Sequence, residues 1–438
     1  MSATATATAT SNVFAELRTA YPTWDALSAF LQSDEGGRLS VVTDADSPLA
    51  VIRYVKTESQ QPAWYIPHVR TFRSVVWNTE THRPVSVTAF KSEMGESLPA
   101  LDSDIQMEAF VDGVMIGQFW DAHTESWRIH TRSTLDAKAR YFSQTRTFSE
   151  MFDDAIKSMY APLAEPFTAR LDKSVSYTWI LSHPENRIVT DVKKPAITLV
   201  AQMRLHEEGA VDMLPLSEAP KGVVTPGVYP VLENQSVEAC VQSLLTVLGA
   251  LHGYQQGVVF KSRADPFKRW KMRTATYNTI RHLRGNTARR DFLLMDLQTK
   301  GHLEDYLRYY PEERLLSQSI TARWREVTQQ VFRCYTDVFK ARTTDKMQIP
   351  AKIRPLVHGL HGHYLTTLRP VHKTVDWNTC VQWINERDTA QKVFVLNWDL
   401  RQEKAATVTT VTTAAAAAAA AAAVAVAAAV AVAVAVEA

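Results

Sequence analysis

Cysteine is scarce in this sequence and scattered along it. Cys240, Cys334 and Cys380 form no CxxC pair and no zinc-ligand spacing, so they read as buried thiols in a reducing compartment. Ala/Thr alternation follows Met1 where a secretory signal would carry basic residues and a leucine-rich core, which predicts an intracellular protein. No GxxxxGK[ST], HExxH or GxSxG element occurs, and P-loop NTPase, zinc protease and serine hydrolase readings lose their support with it. Charge of one sign is also missing overall: 48 Lys and Arg stand against 46 Asp and Glu, a net charge of +2.

The chain has 438 residues, 46% of them hydrophobic, enough for two ordinary cores. Both ends are low in complexity: a Ser/Ala/Thr repeat over 2–10, and a run over 404–438 that becomes almost pure Ala and Val. The stretch 414–436 has the length of a membrane span, but alanine is weakly hydrophobic and no Leu, Ile, Phe, Trp or Tyr accompanies it, so a membrane tail is disfavoured.

The balanced charge hides a local excess. From Lys261 to Arg290 there are ten basic residues (Lys261, Arg263, Lys268, Arg269, Lys271, Arg273, Arg281, Arg284, Arg289, Arg290) against one acid, Asp265. Such a run is either a solvated face or a phosphate-binding surface. The interleaved Phe267, Trp270 and Tyr277 offer stacking surfaces for bases and favour nucleotide or RNA contact, with Lys261, Arg263, Lys268, Arg269, Arg281 and Arg284 as the RNA contacts.

Periodicity divides the rest. Short segments rich in Val, Ile, Thr and aromatics, at 74–78, 85–90, 114–120, 127–133, 176–181 and 197–203, predict strands, with helices over 144–163 and 236–252. Asp112-Gly113, Pro184-Glu185-Asn186 and Pro226-Gly227 are turn signals between them. From Thr276 the pattern is helical, over 277–283, 302–310, 314–343 and 353–368. Trp377 and Trp383 read as a core-facing helical stripe, and His358, His361 and His363 as ordinary helix-end histidines, with no metal site expected. The expected architecture is an α+β domain of largely antiparallel sheets over 13–275 and a mostly helical domain over 276–400, flanked by low-complexity segments 1–12 and 401–438.

Four motifs stand in order in the first domain. They are Phe110-Val111-Asp112-Gly113, then Pro184 with Asn186-Arg187-Ile188-Val189, then Gln256-Gly257-Val258-Val259, then Lys271-Met272-Arg273 with Tyr277 following. Asp-Gly alone is only a hairpin signal. The ordered set, with Arg73 and Ala89-Phe90-Lys91-Ser92 upstream, resembles the ATP-dependent RNA ligases of the phage tRNA-repair type across roughly 70–280. The departures are similar to those of RNA-ligase-like proteins of large DNA viruses. The resemblance implies an antiparallel nucleotidyltransferase domain, ATP and Mg2+ as cofactors if the protein is active, RNA ends as substrate, and the cytoplasm of an infected host cell as location. A protein partner would dock on the helical domain.

The same resemblance identifies what is altered. The family attaches AMP to a lysine, and that position is Phe110, which has no nucleophilic atom; Lys91 is the candidate substitute. The position of the carboxylate that would help hold the metal is Gln256, and that of the glutamate at the nucleoside sugar is Ile180. The remaining nucleotide- and phosphate-binding candidates are Arg73, Lys91, Asp112, Gly113, Arg132, Arg187, Lys271 and Arg273. The resemblance and its departures together imply an RNA-ligase-like nucleotidyltransferase with impaired or altered adenylylation. The alternative is a catalytically degenerate nucleotide- or RNA-binding protein.

Overall fold

The computed structural model describes residues 9–406 except 58, 98–103, 144, 161–165, 231–238, 240, 241, 245 and 247–254. The chain forms two compact units, residues 1–288 and 289–438. The division falls after 288, not after 275, because helix Ala275–Arg284 anchors to the sheets through Tyr277, whose hydroxyl donates to Asp112 at 2.7 Å.

The first unit is α+β, with three sheets among its described residues. Six antiparallel strands stand in the order Ala9–Ser11, Val211–Leu214, Ala196–Leu205, Val175–Ser182, Val114–Asp121 and Ser126–His130. A second sheet orders Val228–Tyr229, Ile105–Ala109, Gly257–Ser262, Arg269–Arg273 and Glu93–Met94, the last pair parallel. A third holds Ser40–Thr43, Leu49–Arg53, Val75–Asn78 and Arg83–Val87.

Side-chain alternation along the strands separates core from cavity. On Val175–Ser182, Tyr177, Trp179 and Leu181 pack against Phe148, Met151 and Phe152 of helix Phe148–Tyr160, while Thr178 and Ile180 face a cavity. Burial of each such large side chain contributes about 1.5–3 kcal/mol. On Arg269–Arg273, Trp270 and Met272 join a small apolar core with Met107, Val258 and Phe260, and Arg269, Lys271 and Arg273 face the same cavity. An Arg-Trp-Lys-Met-Arg strand thus turns a period of two into one apolar and one cationic face.

The Asp112-Gly113 pair is no hairpin turn. Ile105–Ala109 belongs to the five-stranded sheet and Val114–Asp121 to the six-stranded one, so residues 110–113 carry the chain from sheet to sheet. Gly113 has φ +156°, and a Cβ there would lie 2.3 Å from the Leu181 carbonyl oxygen, which requires glycine.

The second unit is helical, with Arg290–Thr299, Leu303–Tyr309, Arg314–Tyr335, Arg354–His363, Trp377–Asn385 and Thr389–Leu396. Trp383 is buried there, but Trp377 is exposed, so the expected stripe is one tryptophan wide. The helix expected over 236–252 lies largely outside the described residues, and the Ala/Val run over 414–436 wholly so. No helix among the described residues is long and apolar enough to cross a membrane.

Candidate functional site

Between the six- and five-stranded sheets lies a cavity of about 260 Å3. Met115, Ile180, Ile188 and Val200 supply an apolar wall, and Arg73, Lys91, Arg269, Lys271, Arg273 and Arg281 gather six cations around it. Among the described residues two carboxylates also line it, Glu108 and Asp112, and both are engaged. Glu108 pairs with Lys261 at 2.6 Å. Asp112 accepts from Tyr277 and, at 3.0 Å each, from the backbone N–H groups of Val189 and Thr190. Its charge is spent on joining the sheet crossover, the loop after Ser182 and helix Ala275–Arg284, and it holds Tyr277 protonated well above the ordinary tyrosine range together with burial, the larger cause.

The uncompensated cations depress one another. Lys271 falls to about 7, by burial first and then by the charges of Lys91, Arg273, Arg73 and Arg281. Lys91 falls to about 8, again by burial first and then by Arg73 and its other basic neighbours. Arg73 and Arg269 are lowered by burial too, but a guanidinium remains charged in such surroundings. Such a cluster waits for an anion: a polyphosphate would supply the charge that the protein withholds.

Phe110 lines this cavity, with its backbone N–H donating to the Gly257 carbonyl at 3.0 Å. The Arg273 guanidinium lies 5.3 Å from the centre of its ring. Gln256, oriented so that its amide nitrogen donates to Val111 O at 3.0 Å, accepts from Arg273 at 3.1 and 3.2 Å. A neutral amide and an aromatic ring therefore fix Arg273. Neither provides what the resemblance implies at these positions, a nucleophile and a metal-holding carboxylate. With Glu108 and Asp112 already engaged, and no group of three His, Cys, Asp or Glu among the described residues, the donor set does not fit a divalent ion held by side chains.

Of the expected site residues, Arg73, Lys91, Asp112, Gly113, Gln256, Lys271 and Arg273 line the cavity, and Arg132 and Arg187 do not. Arg132 donates to the Tyr54 carbonyl at 2.8 Å with its guanidinium over the Tyr54 ring, so it supports a cavity wall from behind. Arg187 turns back on its own loop, donating to the Val189 carbonyl at 3.1 and 3.2 Å.

The basic run likewise disperses. Arg269 and Arg284 are buried, the latter with its guanidinium 3.8 Å from the centre of the Phe142 ring. Lys261 is taken by Glu108, Lys268 lies 3.7 Å from Asp265, and Arg263 is half-buried. Arg281 stays exposed and reaches the cavity. Sequence reading missed Glu108 and Tyr54 as lining residues. The signal for Glu108 was present, since it stands two residues before Phe110, the spacing at which alternate residues of an extended chain share a face.

No family model matches the chain. An RNA ligase of Rhodothermus phage RM378 is 26% identical over 117 residues, which cover 25% of this chain and 25% of that protein, so the match spans about a quarter of the relative's length. Solved structures that superpose include an archaeal ATP-dependent RNA ligase, at 13% identity and TM-score 0.39 over 70% of this chain and 73% of the other. Another is a putative ATP-dependent DNA ligase from Aquifex aeolicus, at 12% identity and TM-score 0.36 over 68% and 71%. The likeness in sequence is to an RNA ligase, the same that the ordered motifs carry.

Proposed function

We propose that the first unit is an RNA-ligase-like nucleotide site that binds ATP and RNA ends and does not form the family's lysyl-AMP at the usual position. The observation that carries this reading is the pairing of six cations with Phe110 in one cavity. The cations supply electrostatic binding for phosphates, and the apolar wall a surface for a base. Phe110 offers a ring for stacking and no electron pair to attack phosphorus.

The test is incubation with ATP labelled at the α-phosphate and Mg2+, followed by denaturing electrophoresis, alongside equilibrium binding of ATP. The expected outcome is saturable ATP binding without a label that survives denaturation. Phe110→Lys should add little label, because Gln256 and Ile180 still stand where the resemblance puts a carboxylate and a glutamate. Strong labelling of the unmodified protein would overturn the reading. Lys91 and Lys271 are the amines to map in that case, since their lowered pKa values leave a fraction unprotonated near neutrality. Loss of ATP binding in Lys271→Ala/Arg273→Ala would support the phosphate assignment.

A further inference from the structure

Four of the six cations around the cavity are the guanidinium groups of Arg73, Arg269, Arg273 and Arg281, which keep their charge at neutral pH. Relief of their mutual repulsion therefore falls to the two amines, and these differ in surroundings. The Lys91 ammonium donates to the Ser92 carbonyl at 2.7 Å and lies 5.5 Å from the centre of the Trp64 ring, two contacts that favour its charged form. Among the described residues no acceptor reaches the Lys271 ammonium. Lys271 stands on strand Arg269–Arg273 opposite Val259 on one side and Met94 on the other, so paired backbone on both flanks holds its half-buried side chain in the cavity lining beside the guanidinium groups. The carboxylates of that lining, Glu108 and Asp112, are engaged with Lys261 and Tyr277, and the phenols of Tyr54 and Tyr277 are its other titratable side chains.

Lys271 is thus an unpartnered amine in a field that favours negative charge on it. Burial first, and then the charges of Lys91, Arg273, Arg73 and Arg281, bring its pKa to about 7, so about half of it is a free nucleophile at neutrality. The electrophile that such a field favours is one that leaves an anion on the nitrogen. An acyl group only cancels the ammonium charge, whereas carbon dioxide reverses its sign. We propose that Lys271 is a modification site for carbon dioxide, converted reversibly to a carbamate held by the charges of Arg73, Arg273 and Arg281. The amine lone pair forms the N–C bond, the electron pair of one C=O π bond moves to oxygen, and one proton passes from nitrogen to water. One amine and one carbon dioxide give one carbamate and one proton, with no change of oxidation state; from the ammonium, two protons leave. The carbamate takes up charges that a phosphate would use, so carbon dioxide opposes nucleotide binding. That consequence alone rests on the nucleotide reading of the cavity.

The test uses the full chain without nucleotide, equilibrated with isotope-labelled carbon dioxide at fixed pressure. An oxonium alkylating agent traps the carbamate as an ester that survives denaturation, and peptide mass spectrometry locates it. The expected result is a label on Lys271 that rises steeply between about pH 6 and 8, because its formation from the ammonium releases two protons. Lys271→Arg, which keeps the charge and offers no free amine, should lose the label, and so should Lys271→Met. Lys91→Arg should keep it. No label on Lys271, or a label no greater there than on the exposed Lys193 and Lys268, would overturn the proposal. Calorimetry under the same gas then separates the two readings. With about half of the molecules labelled, the apparent Kd for ATP should about double, since only the unlabelled half is competent to bind. A labelled Lys271 without ATP binding at any pressure of the gas leaves the carbamate standing and overturns the nucleotide site, and ATP binding with Lys271 unlabelled does the reverse.

Discussion

Lys271 shows how one side chain couples binding to pH. Its pKa in the folded protein, about 7, lies below the ordinary 10.5, because burial and four cationic neighbours penalise the ammonium. An arriving polyphosphate reverses the second cause and draws a proton back. Binding at pH 8 should therefore take up protons, visible as a dependence of the measured enthalpy on the buffer's heat of ionisation, and ATP affinity should fall as pH rises from 7 to 9. The fall is bounded at about tenfold per pH unit for each lysine that must be recharged. The ligand-free protein has the opposite dependence. A folded pKa depressed below the unfolded one means that the folded state binds fewer protons, so stability rises between about 7 and 10.5. Lys271→Met should accordingly raise the melting temperature more at pH 6 than at pH 10 and abolish part of the proton uptake. An identical shift at both pH values would show that the ammonium is not penalised.

At the scale of elements, the site depends on the crossing of the chain between two sheets at 110–113. Asp112 ties that crossing to the loop after Ser182 and to helix Ala275–Arg284 through three hydrogen bonds. Tyr277→Phe removes one and leaves two, so urea unfolding should register a loss of about 1–2 kcal/mol. Gly113→Ala is expected to cost more, about 2–3 kcal/mol, because the added Cβ meets backbone at Leu181, which cannot rotate aside. Equal midpoints for Gly113→Ala and the parent would refute the close approach. The strand over 176–181 is legible where polar and apolar residues alternate, and 114–120 by its Val, Ile and aromatic content; they appear as Val175–Ser182 and Val114–Asp121. Leu49–Arg53 is not, because four of its five residues are buried, which leaves no alternation to read. The change of sheet is hidden for a different reason. Asp-Gly has the same local chemistry in a hairpin and in a crossover, and only the strands' partners, set by distant residues, distinguish them. Arg187 is hidden similarly, since its spacing from Asn186 and Val189 says nothing about where the guanidinium turns.

For the whole molecule, the arrangement of charge counts for more than its sum. The ten basic residues of 261–290 form one stripe in the sequence, but the fold distributes them by role. Arg269 and Arg284 are buried, Lys261 pairs with Glu108, and in the second unit Arg289 and Arg290 pair with Asp291 and Glu313. Lys271, Arg273 and Arg281 reach the cavity beside the buried Arg269, and there they meet Arg73 and Lys91 from stretches nearly two hundred residues away. With a net charge of only +2, long-range attraction of a polyanion is weak and contact at the cavity must provide the electrostatic term. Each phosphate neutralised on a single strand contributes about −0.7 to the slope of log affinity against log salt, so three contacts give about −2, whereas ten would give about −7. RNA binding titrated between about 50 and 200 mM salt should fall near the smaller value, and Lys271→Ala/Arg273→Ala should reduce it by about 1.4. A slope near the larger value, unchanged in the double variant, would mean that the run binds RNA along an open face and that the cavity takes no part. A slope of about −2 that flattens in the variant places the RNA end where the fold has gathered its cations.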